Sequence, residues 1–221
     1  MTPDEVIETV LAERFSCRAF LPGTVPAATQ RRMFALAQRT ASWCNSQAWQ
    51  VHVAPSTEAF SEALLARVLA GPEAPDLAGP ASYEGVYRDR RRASGFGLYG
   101  ALGIARDDAD GRLRQMLENF RFFGAPHVAV ISTPRALGVY GAVDCGAYVS
   151  TLLTAAQSLG VATIAQAAVA MYADVVHEHL GVPADRDVVC AVSYGYPDLD
   201  HPANAFRTER ASIDEAVSGL A

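Results

Sequence analysis

Lysine is absent: all 18 basic residues of this 221-residue chain are arginine. That excludes chemistry built on a lysine amine, such as a pyridoxal phosphate Schiff base or the phosphate-gripping lysine of a Walker loop. An anion bound here has to be held by guanidinium forks, which match phosphate bidentately. Cysteine is sparse and scattered. Cys17, Cys44, Cys145 and Cys190 form no CxxC pair and no signal-type segment precedes them, so the expectation is a reduced, cytoplasmic chain. The histidines form no cluster either. His177 and His179 stand two apart on an expected helix and point away from each other, so no metal site is expected. The net charge of -6 argues against a nucleic-acid partner, and "RDRRR" at 88–92 reads as a solvated helix face.

Charge is also missing between Asp144 and Asp174, a run long enough to cross a bilayer. The run carries Ser150, Thr151, Thr154, Gln157, Ser158 and Gly160 and changes its period half-way. It reads as a buried helix through Leu159 followed by a buried strand, "VATIA", and no membrane partner is expected. Gly95, Gly97 and Gly100 spell GxGxxG, but the residues before them, "YEGVYRDRRRAS", contain no apolar run. A dinucleotide loop needs a buried strand running into its glycines, so the match is a decoy that serves mobility or close helix packing.

What remains reads as one sizeable domain with an arm. "TPDE" is a capping box opening a helix over 3–13; further helices are expected near 26–41, over 57–70, 83–103 and 107–121, and from about 145 to 159. "WQVHVAP", "HVAVIST", "VATIA" and "DVVCAVSYGYP" read as strands, the last closed by Pro197. Residues 1–197 then form the domain. Residues 198–221, polar and with a second capping box at Ser212–Glu215, form an arm with little core of its own to join, suited to packing on a partner subunit.

Two segments carry chemistry. In "ERFSCRAF", Arg14, Ser16 and Arg18 alternate, so an extended backbone would put two guanidinium groups and a hydroxyl on one face as an anion cradle. In "SWCNSQAWQVHVA", Asn45 and Gln47 sit between two tryptophans before a strand, where amides can hydrogen-bond a planar heteroaromatic ligand. Surface arginines, and loop-capping amides beside a buried tryptophan pair, are the plainer readings.

"RFSCR" and "SWCNSQAW", in this order, resemble the opening motifs of the nitroreductase family of FMN enzymes. Ala48 stands where that family usually has proline, which removes no functional group. The resemblance continues through "NFRFFGAPHVAV", "LGVATIAQAAVAMY", "LGVPADRDVVCAVSYGYPD" and "NAFRTER" and covers nearly the whole chain. It implies an α+β fold with a central mixed β-sheet flanked by helices, in an intertwined homodimer with C-terminal arm exchange. It implies FMN as cofactor, NAD(P)H as co-substrate and a small nitroaromatic (nitrobenzoate-like) or quinone acceptor, reduced two electrons at a time in ping-pong turnover.

Carried onto this sequence, the resemblance gives FMN contacts to Arg14, Phe15, Ser16, Cys17 and Arg18. Arg18 and Arg121 would favour the reduced flavin by lying at its pyrimidine edge, with Asn119 beside Arg121. The backbone N–H groups of Ala167 and Ala168, after Gln166, would face flavin N5. Arg207 and Arg210 would close over the phosphate. Ser42, Trp43, Asn45 and Gln47 would belong to the site at the dimer interface, reaching the FMN held mainly by the other subunit. Dehalogenation, dehydrogenation and flavin destruction also occur in the family, and a flavin-binding protein without turnover is a further reading.

Overall fold

The computed structural model describes residues 1–219; residues 220 and 221, the end of the expected arm, lie outside the described residues. Helix α1 (Pro3–Glu13) starts at the expected capping box: the Thr2 hydroxyl accepts the Glu5 N–H, and the Glu5 carboxylate accepts the Thr2 N–H at 2.7 Å. Helix α2 (Ala27–Ala37) buries Met33 and Ala37. Strand β1 (Gln50–Val53) follows, then α3 (Thr57–Ala70), capped by the Ser56 hydroxyl. Next come α4 (Gly85–Ala101) and α5 (Ala109–Leu117), the latter capped by Asp108. The expected helix over 107–121 stops at Leu117 and tightens into turns, after which Phe122 and Phe123 are left-handed, each with φ of 55°. Strand β2 (His127–Pro134), α6 (Gly138–Ser158), β3 (Ala162–Gln166) and the short α7 (Ala167–Ala170) complete the middle of the chain. They are followed by α8 (Ala173–Leu180), β4 (Arg186–Gly195) and α9 (Ile213–Ala216). The GxGxxG glycines lie inside α4, with no strand before them.

The strands form one sheet in the order β1-β2-β4-β3. The expected mixed sheet is corrected here, because every ladder is antiparallel. The sequence of β2, α6 and β3 reads like a parallel crossover, but β4 inserts between the two strands and is antiparallel to both. An isolated parallel bridge, Ser16 to Thr163, lies on the outer side of β3. Side chains of β2 alternate between two cores, as the pleat requires. Val128 and Val130 join Phe60, Leu64 and Phe122 on one face. Ala129 and Ile131 join Met33, Trp49, Tyr148 and Leu152 on the other. With helices on both faces, each fully buried valine, leucine or phenylalanine contributes about 1.5–3 kcal/mol of hydrophobic stabilisation.

Helix α6, with the turn before it, is long and apolar enough to cross a membrane by length and composition. It packs instead against β2 and β3, burying Cys145, Tyr148, Leu152 and Ala156. Gly141 permits the approach, since a Cβ there would overlap the Thr133 hydroxyl. The charge-free run thus ends its helix at Ser158 and turns through Gly160 (φ 71°) into β3. The arm begins on its own chain: the Asp198 N–H donates to Ala19 O at 3.0 Å, and Ala203 and Asn204 are buried.

One polar cluster pins the loop after α3 to α8 and β4. Asp76 accepts the Val188 N–H and faces His177 Nε2, both at 2.8 Å, while His177 Nδ1 faces Val182 O at 2.9 Å. Both ring nitrogens therefore meet acceptors, and only the imidazolium satisfies both. Burial pulls the His177 pKa down, but the bonds to Val182 and Asp76 and the Asp76 charge outweigh it, and the net shift is upward. A raised folded pKa stabilises fully below the unfolded value of about 6.5 and is lost as pH rises through the folded value. Melting temperatures measured from about pH 6 to about pH 9 are therefore expected to fall more steeply in the parent than in His177→Gln. Parallel pH profiles would show that His177 is not charged in the fold.

Candidate functional site

Beyond α1 the chain runs beside β3: the Cys17 N–H donates to Thr163 O at 3.0 Å. The Cys17 side chain turns into the core, where burial pushes its thiol up to about 11. Its N–H is taken by Thr163 and the residue is fully buried, so it lines neither cleft. Arg14, Ser16 and Arg18 line a cleft of about 340 Å³ together with Phe15, Arg207, Thr208 and Arg210. The three side chains expected on one face thus line one cleft, and the arm brings two further guanidinium groups to it.

No aspartate or glutamate lines this cleft. Among the described residues none of its four arginines is in an ion pair. Burial, and then the charge of Arg210, lower the Arg14 pKa, the signature of cations gathered without a counter-charge. The guanidinium of Arg207 lies over the Phe15 ring, 4.0 Å from its centroid. Asn204 locks the cradle to the arm: its Oδ1 accepts the Arg18 N–H at 2.7 Å, and its Nδ2 donates to Ala19 O and Asp198 O at 2.8 Å. Sequence reasoning passed over Asn204, although it stands at the head of the quoted "NAFRTER".

Arg18 is shared with a second cleft of about 470 Å³, walled by α4, the end of α5 and the outer edge of β3. Thr163 turns its carbonyl outward, to Cys17. Alternate residues of a strand present their backbone groups to the same side, so Ala165 turns its own to this side, and Ala167, the first residue of α7, also lines the cleft. Both are exposed. Neither Ala167 nor Ala168 finds a loop, strand or side-chain acceptor for its N–H, and the first N–H groups of a helix have none within it. Asn119 and Gln166 line the same cleft. The Gln166 side chain is committed to the fold, donating to Asn119 O at 2.7 Å and accepting from the Ser193 hydroxyl. Ser94, Phe96, Leu98 and Tyr99 of α4 also line it, residues singled out by no motif. The signal was there in the glycine-rich segment, whose Gly97 lies so close to the Phe206 ring that a Cβ would overlap it.

Arg121 is not brought to either cleft; it pairs with Glu118 at 2.9 Å. Ser42, Trp43, Asn45 and Gln47 precede β1, at the sheet edge opposite β3. Their loop is held tightly. Asp144, buried on α6, accepts the Trp43 N–H at 3.1 Å and the Ser46 hydroxyl at 2.9 Å, and the Gln47 N–H donates to the Ser42 hydroxyl. Cys44, Asn45 and Gln47 have φ of 50°, 55° and 48°, a conformation costing roughly 1–2 kcal/mol per residue. Trp43 is 56 % exposed and meets the Tyr140 ring edge-on. The loop is thus strained, and a buried carboxylate holds its exposed tryptophan in place.

The sequence profile of the family described as the nitroreductase family matches residues 11–196. The chain belongs to the nitroreductase family. It is 36 % identical over 218 residues to the nitroreductase NfnB of Mycolicibacterium smegmatis, covering 96 % of this chain and 92 % of that one. It is 34 % identical to a 4-nitrobenzoate reductase of Nocardioides sp., covering 98 % and 90 %. The crystal structure of the FMN-dependent NfnB of Mycobacterium smegmatis in complex with NADPH superposes with a TM-score of 0.94 at 34 % identity, covering 100 % of both chains. The FMN- and NADPH-dependent NfnB of Sphigopyxis sp. strain HMH follows at 0.93 and 31 %, covering 97 % and 99 %. The nitroreductase fold expected from the motifs is therefore the fold of this chain.

An uncompensated guanidinium cluster should bind inorganic phosphate. Replacing Arg210 by Ala is expected to weaken phosphate binding about tenfold, the cost of a charge-assisted hydrogen bond. Arg88→Ala, away from the cleft, should leave it unchanged. Thermal stabilisation by added phosphate measures both, and equal stabilisation of parent and Arg210→Ala would show that the cluster is not an anion site.

Proposed function

We infer that the chain is an FMN-dependent NAD(P)H oxidoreductase that reduces nitroaromatic compounds. The observation that carries this reading is the juxtaposition of an open β-strand edge with four guanidinium groups that lack counter-charges. A flavin mononucleotide has complementary parts: a planar edge of alternating donors and acceptors, and a phosphate on a flexible chain. When bound, it carries electron pairs from a reduced nicotinamide to the acceptor.

The chain's residues divide the work of holding it. Arg14, Arg207 and Arg210 take the phosphate in the cleft of about 340 Å³, with Phe15 and Ser16 beside the sugar-alcohol chain. Cys17 anchors the segment to β3 through its N–H. Arg18 reaches both clefts and faces the pyrimidine edge, where a preorganised cation favours the reduced cofactor. Asn119 and Gln166 close that end. The Ala167 and Ala168 N–H groups face N5, the atom that exchanges electrons with donor and acceptor in turn. One cleft serves both visitors, which fits ping-pong turnover, and quinones fit the same slot. Arg121, paired with Glu118, supports that end from outside the cleft.

The second part of the reading is a homodimer. Val6, Ile7 and Leu11 on α1 and Val139, Tyr140 and Val143 on α6 are exposed apolar side chains on two helices in contact. Patches of this kind mark interaction surfaces. A second copy on this face would bring Ser42, Trp43, Asn45 and Gln47 toward the partner's cofactor, giving the strained loop its ligand. The arm, residues 198–221, would pack at the same interface. Cys17, Cys44, Cys145 and Cys190 are free thiols, as a reduced, cytoplasmic setting requires.

Purified protein is expected to be yellow, to release FMN on denaturation and to oxidise NADPH with a nitroarene. Ala167→Gly and Ala168→Gly should keep most activity, because the N–H survives. Proline at 167 or 168 removes it and should slow turnover and shift the flavin potential. Proline variants with normal FMN content, potential and rate would remove the backbone contact from the mechanism. Recovery of FAD, or of no flavin after reconstitution, would overturn the cofactor assignment.

Val143→Glu places a charge on the exposed α6 face and is expected to give a monomer that has lost FMN. Sedimentation and flavin absorbance report both at once. A parent that sediments as a monomer while retaining FMN would exclude the shared site.

A further inference from the structure

Four arginines stand in the run 88–92, and the structure sorts them into two kinds. Arg88 pairs with Asp89 at 3.3 Å and Arg90 with Glu215 at 3.0 Å. Arg91 and Arg92 have no carboxylate partner among the described residues; Arg91 lies over the Tyr83 ring, 5.4 Å from its centroid. These two line the cleft of about 470 Å³, which also contains Arg18 and no aspartate or glutamate. The run is therefore not simply a solvated face. Cations converging on one cleft repel one another, and an anion with more than one charge relieves the repulsion.

The same side of α4 continues through Gly95, Phe96, Leu98 and Tyr99, which also line the cleft. At 1.5 Å per residue, Tyr99 stands about 10 Å further along the axis than Arg92. A ligand reaching from the arginines to the open edge at Ala167 thus needs an anionic group well separated from its reacting ring. In a nitrobenzoate the carboxylate is only one benzene ring from the nitro group. In a dinucleotide two sugars and a pyrophosphate intervene.

We propose that Arg91 and Arg92 bind the 2′-phosphate of NADPH and set the preference of this protein for NADPH over NADH. The proposal rests on the oxidoreductase reading above and adds to it the recognition of the donor. A phosphate monoester presents three oxygens and nearly two charges to two guanidinium forks, which a ribose hydroxyl does not. Both arginines are exposed, so the grip is screened by salt and releases the spent donor readily.

The test uses the holoenzyme and has a binding arm and a kinetic arm. Adenosine 2′,5′-bisphosphate is expected to bind at least about tenfold more tightly than 5′-AMP, with the difference shrinking as salt rises. Arg91→Ala and Arg92→Ala should each reduce the NADPH/NADH ratio of kcat/KM by about tenfold or more through KM. Lysine at either position should restore part of it, keeping charge without the fork. Equal binding of the two nucleotides to the parent, or an unchanged ratio in both alanine variants, would overturn the proposal. So would a loss confined to carboxylated nitroarenes, which would give the pair to the acceptor. A protein that binds the bisphosphate through Arg91 and Arg92 yet oxidises neither dinucleotide would uphold this anion site and refute the oxidoreductase reading.

Discussion

An edge strand cannot leave its outer backbone groups dry and unpaired, and β3 is an edge strand with an outer side only partly covered. The segment after α1 satisfies Thr163, through the Cys17 N–H. Past that point the edge at Ala165, and Ala167 at the start of α7, border a cleft. The small side chains matter for what they leave open, since a bulky residue at 165 or 167 would block the approach. Most natural edges are protected by charge, proline or a covering helix. Here the covering elements, α4 and the end of α5, stand off by the width of a cleft, as they should if a flat molecule completes the sheet.

The second constraint is electrostatic. A chain with net charge -6 nonetheless gathers Arg14, Arg18, Arg207 and Arg210 around one hollow without a carboxylate. Their mutual repulsion costs stability in the free protein, and the Asn204 amide offsets it structurally by binding Arg18, Ala19 and Asp198 together. The arm's first residues are therefore part of the site rather than an appendage. In the proposed site, an arriving phosphate would remove that repulsion.

The two edges of the sheet carry the two halves of the expected site. The cradle and the open backbone lie at β3, while Trp43, Asn45 and Gln47 lie beyond β1. Asp144, through Trp43 and Ser46, holds the latter loop in a strained form that nothing in the same chain uses. In the proposed homodimer, a two-fold axis that turned one copy's β1 side toward the other's β3 side would resolve this. The exposed faces of α1 and α6 supply the apolar area such a contact needs.

Local signals determined much of this protein. Capping at Thr2 and Ser212, the apolar face of α6, the alternation of β1 and the apolar run of β2 are consequences of neighbouring residues, so α1, α6, β1 and β2 were legible in the chain. So was the cradle at Arg14, Ser16 and Arg18, because strand alternation alone puts them on one side. Resemblance to a family extended this to Arg207, Arg210 and the Ala167–Ala168 backbone, which no local rule would single out. Only the tertiary structure decided the rest. Strand order depends on which distant segments pair, so the insertion of β4 between β2 and β3 made an expected mixed sheet antiparallel. The separation of Arg91 and Arg92 from Arg90 depends on where Glu215 lies in space, which no helical period encodes. The withdrawal of the Gln166 side chain and of Arg121 from the cleft has the same cause: a polar group goes to the partner that the fold brings within hydrogen-bonding distance, whatever its position in the motif.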